Sequence, residues 1–102
     1  MNARLKEART FTIALCLSLE IEDLDGRIKF EDADVERVSC LNDIIDLTER
    51  RIAALSNQRG SKEVAADLVQ RAAAKVFPYG ALPEGNISLA DAFSGLPFSP
   101  TT

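Results

Sequence analysis

Apolar residues recur at alternating three- and four-residue spacing over residues 34–57. Val38, Leu41, Ile45, Thr48, Ile52 and Leu55 form one continuous stripe, and Cys40, Ile44 and Leu47 widen it. This pattern predicts a helix with a broad buried face, wider than a two-stranded coiled-coil seam. Arg50 and Arg51 near its end suit the negative pole of a helix, and Gly60 is the expected stop. Residues 3–24 carry two patterns at once. Phe11, Ile13, Leu15, Leu17, Leu19 and Ile21 alternate as in a strand, while Ala14, Leu17, Ile21 and Leu24 follow helical spacing. Composition decides for helix: between Thr10 and Glu22 the β-branched residues are Thr10, Thr12, Ile13 and Ile21, and Leu, Ala and Glu make up most of the rest. The alternative is an α+β fold with an N-terminal β-hairpin at 10–30, turning at Asp25-Gly26.

A third helix is expected from a Ser61 cap to about Phe77, with Val64, Leu68, Ala72 and Val76 on its apolar face. Ala65, Ala66, Ala73 and Ala74 would allow close approach to a neighbour, and Pro78 would end it. Residues 78–87 read as a loop rich in Pro and Gly. Ser88 can cap a short helical turn over Leu89–Phe93, closed by Gly95, with Leu96 and Phe98 of the tail laid over the core. The expected fold is all-α: an antiparallel two-helix hairpin crossed by a third helix and a short C-terminal helical turn. It forms one domain, residues 1–95, with a tail at 96–102. A loop centred near residue 28 would set Cys16 near the height of Cys40.

Composition narrows the chemistry. In 102 residues there is no His and no Trp, and the net charge is −4. Without His, a Ser-His-Asp triad, a Cys-His pair and His-ligated metal sites are impossible. Gly80 and Gly85 have phosphate-loop spacing, but Asn86 stands where Lys is required. Two cysteines are too few for a disulfide framework or a four-ligand zinc site, so both are expected as buried reduced thiols. No apolar run reaches the length of a membrane span, and the N-terminal MNARLKEART lacks the layout of a signal peptide, which points to a cytoplasmic protein. An acidic surface argues against general nucleic-acid binding and anionic membranes.

The charge is concentrated. Residues 20–36 hold eight acids against Arg27 and Lys29, so the rest of the chain is net basic. Within this stretch Asp23, Asp25, Gly26, Ile28, Phe30 and Asp32 resemble positions 3, 5, 6, 8, 10 and 12 of an EF-hand calcium loop. EGNISLADA, from Glu84, echoes DGRIKFEDA, from Asp25. Ile21 stands where the first ligand should be, Asp32 is shorter than the usual Glu, and Gly80 and Leu82 occupy ligand positions of the second copy. The plainer reading is an acidic connection in which Gly26 sets the bend and Asp32 or Asp34 starts the next helix.

The expected function is a small non-enzymatic helical protein–protein interaction module, of adaptor, inhibitor or regulator type and homodimeric, with no cofactor, membrane or small-molecule substrate. Helices apolar over more than one face need a further partner to cover them. The partner contact is placed on Leu41, Ile45, Ile52 and Leu55, or on the acidic residues Asp32, Asp34 and Glu36. Two alternatives stand beside it. One is a divalent-cation sensor using Asp23, Asp25 and Asp32. The other is a nucleic-acid-linked regulator using Arg4, Lys6, Arg9, Arg50, Arg51, Arg59 and Lys62.

Overall fold

The computed structural model describes residues 3–56, 62–77 and 83–94. The fold is all-α: α1 (Ala3–Leu24), α2 (Asp32–Val35), α3 (Leu41–Ser56), α4 (Lys62–Val76) and α5 (Leu89–Ser94). Residues 10–24 are helical, so the β-hairpin alternative does not form. The expected positions Gly60, Ser61, Pro78, Gly95 and the tail 96–102 lie outside the described residues.

The long helices pack through aliphatic side chains. α4 packs extensively against both α1 and α3, while α5 and α2 pack on α1. Ala65, Ala72 and Ala73 of α4 are fully buried, and their small side chains let the helix backbone approach its neighbours closely. The buried face of α4 is rotated from the expected one, toward Ala65, Val69 and Ala73, and Val64 is half exposed. From α1 come Ala14, Leu17 and Ile21, and from α3 Leu41, Ile44 and Leu47. Thr48 is fully buried, and its hydroxyl donates to the Ile44 carbonyl at 2.7 Å, so its polar atom is satisfied inside the helix. Phe77 closes the core beside Phe93, with ring centroids 5.6 Å apart.

The helix expected over 34–57 is broken. α2 ends at Val35, and α3 begins only at Leu41. Tertiary bonds hold the break open. The Leu89 N–H donates to the Ser39 carbonyl (2.8 Å), the Asn42 N–H donates to the Gly85 carbonyl (2.9 Å), and Cys40 forms an isolated antiparallel bridge with Ser88. Backbone groups that a continuous helix would pair internally are paired instead with residues 85–89. A Cβ at Gly85 would meet the side-chain amide of the exposed Asn42, which would have to turn aside. The break also buries both Val35 and Val38.

Local chemistry then starts each short element. Asp43, in the first turn of α3, accepts both the Ser39 N–H (3.0 Å) and the Ser39 hydroxyl (2.8 Å), a clasp at the N-terminus of the helix in which Ser39 is the donor twice. Ser88 caps α5 as expected, its hydroxyl accepting the Asp91 N–H at 3.2 Å. Asp32 opens α2, but the cap position belongs to Glu31, whose side chain makes no capping bond.

Candidate functional site

Part of the acidic connection after α1 is committed to its own structure. Asp25 accepts the Arg27 backbone N–H (3.1 Å) and two bonds from the Arg27 guanidinium. The guanidinium bonds, followed by the backbone N–H, hold the Asp25 carboxyl below the usual carboxylate value. Glu22 accepts the Phe30 N–H at 2.8 Å, tying the extended segment back onto the last turn of α1. Ile28 is fully buried. Asp34 is bound by Arg51, well inside α3. Gly26 meets nothing where a Cβ would stand, and its backbone is not left-handed, so the bend does not depend on glycine there.

This geometry bears on each predicted site residue. Asp23, Asp25 and Asp32 do not converge: among the described residues no group of three or more acidic or cysteine side chains is placed to hold a metal ion. Of the basic residues, Lys6 pairs with Asp91 (2.8 Å) and Arg51 with Asp34, and Arg59 lies outside the described residues. The predicted apolar contact is divided. Leu41 is in the core, Ile45 and Ile52 pack half-buried against it, and Leu55 is exposed. Asp32 and Glu36 are exposed. Cys16 was expected inside and is exposed instead, and Cys40 is half-buried. Both are free thiols.

Among the described residues, an apolar surface lies elsewhere, on the outward side of α1. Thr10, Ala14, Leu17, Ser18 and Ile21 turn inward, while Leu5, Ala8, Thr12, Cys16 and Leu19 are all exposed. Leu5 is 46 % and Leu19 56 % exposed, in a helix that keeps its other leucines wholly or partly covered. Beside this face runs a groove of about 610 Å³. It is lined by Ala8, Arg9, Thr12, Ile13 and Cys16 of α1, by Val76 of α4 and by Ala90 and Phe93 of α5. Thr12 satisfies its hydroxyl by donating to the Ala8 carbonyl at 2.9 Å.

The outward stripe is present in the sequence at three–four spacing. It is hard to see there because the inward stripe of the same helix and the apparent strand alternation overlap it. A helix apolar on two opposite sides has no dominant face, and only packing decides which side is covered.

Compared with protein-family models, with curated proteins and with solved structures, the chain matches none. No helix among the described residues is long and apolar enough to cross a membrane.

Proposed function

We propose that the protein is a non-enzymatic, cytoplasmic, helical protein–protein interaction module of adaptor, inhibitor or regulator type, which docks through the outward face of α1. The observation that carries this reading is the pair of half-exposed leucines, Leu5 and Leu19, joined by Ala8, Thr12 and Cys16 into one apolar stripe. Large side chains left in water at helical spacing are a docking surface of the helix-against-helix kind. The adjoining groove offers room for a partner's larger side chains. The acidic residues Asp32 and Glu36 stay exposed, Glu36 beside Arg4, Glu7 and Ala8 of α1, and would bias the partner's charge rather than supply affinity.

Site-specific photocross-linking tests this. A benzophenone side chain placed at Thr12 in the producing cell is expected to form protein adducts. The same group at the exposed Glu63 of α4 is expected to form few. An absence of any protein adduct at position 12, in a chain that still folds, would remove the reading.

A further inference from the structure

The outward stripe of α1 is symmetric about its own midpoint. Leu5 and Leu19 lie seven residues either side of Thr12, and Ala8 and Cys16 lie four residues either side. All five are exposed. Turned end for end, the stripe therefore presents the same sequence of shapes: large, small, small, small, large. Two copies of it placed antiparallel match Leu5 with Leu19 of a second copy, Ala8 with Cys16, and Thr12 with itself. That is the self-complementarity a two-fold interface requires. The small residues at the centre allow two helices to approach closely, and the leucines close the ends.

Charge selects the same orientation. The first turns of α1 carry Arg4, Lys6 and Arg9 against Glu7 alone. Its last turns carry Glu20, Glu22 and Asp23 with no cation. Lys6 and Glu20 also make exposed ion pairs within the chain, with Asp91 and Lys75, Glu22 accepts the Phe30 N–H and Glu36 stands beside Arg4, so the polarity is carried chiefly by the exposed Arg9 and Asp23. An antiparallel pair sets the basic end of each helix against the acidic end of the other and opposes the two helix dipoles. A parallel pair would set like charges together at both ends.

We infer that a second copy of this chain occupies the outward face of α1, in an antiparallel α1–α1 contact whose two-fold axis passes beside Thr12. The inference rests on the reading of that face as a docking surface and names its occupant. It has a consequence for the thiols. Cys16 of one copy lies opposite Ala8 of the other, so the two Cys16 residues stand about 12 Å apart along the helix axis, beyond disulfide reach. In the parallel alternative they would face each other.

The test uses the full chain. Sedimentation equilibrium at about 100 µM is expected to show a dimer, and Leu19→Asp, at an exposed position, is expected to raise its dissociation constant by roughly tenfold or more. An unchanged thermal unfolding curve at low protein concentration would confirm that Leu19→Asp still folds. With Cys16 and Cys40 replaced by serine, Thr12→Cys is expected to give a disulfide-linked dimer under mild oxidation, and Glu63→Cys is not. In the otherwise native chain, Ala8→Cys is expected to link through Cys16, whereas the native chain itself is not. A native Cys16–Cys16 disulfide forming rapidly at the dimer's working concentration would overturn the antiparallel register. A monomer at about 100 µM, whether residues 95–102 or another protein takes the face, would overturn the second copy as occupant. Position-12 adducts to other proteins alone would leave the docking surface standing, and no adducts at all would end both.

Discussion

The acidic connection at residues 25–40 and the outward face of α1 reverse the roles that their compositions suggest. The connection is rich in carboxylates, yet Asp25 and Asp34 are engaged by Arg27 and Arg51, the Phe30 N–H is tied to Glu22 of α1, and Ile28, Val35 and Val38 are buried. The α1 face is rich in apolar side chains, yet Leu5, Cys16 and Leu19 stand in water. Charge density in a sequence says little about function where the fold supplies donors to the carboxylates, as it does for Asp25 and Asp34 while Asp32 and Glu36 stay exposed. Apolar density says little about burial when a helix is apolar on both sides. The residues worth following are those whose chemistry the fold leaves unanswered.

This contrast can be broken most directly at Ile28. Replacing this fully buried side chain with alanine is expected to destabilise the chain by about 2–4 kcal/mol, read from denaturant unfolding. Leu19→Ala, a change of similar size, should alter the stability of the monomer by only about 0.5 kcal/mol. Equal effects at the two positions would mean that the connection is no more a part of the core than the α1 face is.

The Asp34–Arg51 pair tests how firmly the connection is tied to α3. Both side chains are about one-third exposed or less, so Arg51→Met is expected to cost about 1–2 kcal/mol, less than a fully buried pair and more than a surface one. A double-mutant cycle with Asp34→Asn should recover a coupling of about 1 kcal/mol, and additivity would show that the two do not interact.

Asp43→Ala should cost about 1 kcal/mol through loss of the clasp at the start of α3. Its pH dependence follows from the same contacts. Partial burial pushes the Asp43 carboxyl up, but hydrogen bonds from Ser39 and Cys40 outweigh it and leave the folded pKa below 3.8. Asp25, bonded by Arg27, and Asp91, bonded by Lys6 and Ser88, are lowered as well. A carboxylate whose folded pKa lies below its unfolded value resists protonation in the folded state. Its contribution is therefore complete above the unfolded value near 3.8 and is lost as pH falls through the folded value. Melting temperature should hold steady near neutrality and drop below about pH 4, with a smaller acid drop in Asp43→Ala than in the parent chain. An equal drop in both would remove Asp43 from the set of groups responsible.

The smallest effect is expected at Gly26. With open space for a Cβ and no left-handed backbone to relieve, Gly26→Ala should be neutral or stabilising by up to about 0.5 kcal/mol. A large loss would restore glycine as the maker of the bend.

Helical type, the inward stripes of α1 and α3 and the cap at Ser88 were all legible from residue spacing, because they depend on neighbours three or four positions apart. The predicted contact of Leu41, Ile45, Ile52 and Leu55 was read from the same kind of stripe, and the fold divides it, with Leu41 in the core, Ile45 and Ile52 half-buried and Leu55 exposed. The sequence by itself therefore determined the helices, their approximate extents and the absence of histidine chemistry, since these follow from local periodicity and composition. Tertiary structure alone decided where the 34–57 pattern breaks, because backbone groups of residues 39–42 are claimed by residues more than forty positions later. It also decided which side of α1 faces water. Two opposite apolar stripes on one helix have similar local energies, and only the placement of α4 and α5 against one of them separates core from surface.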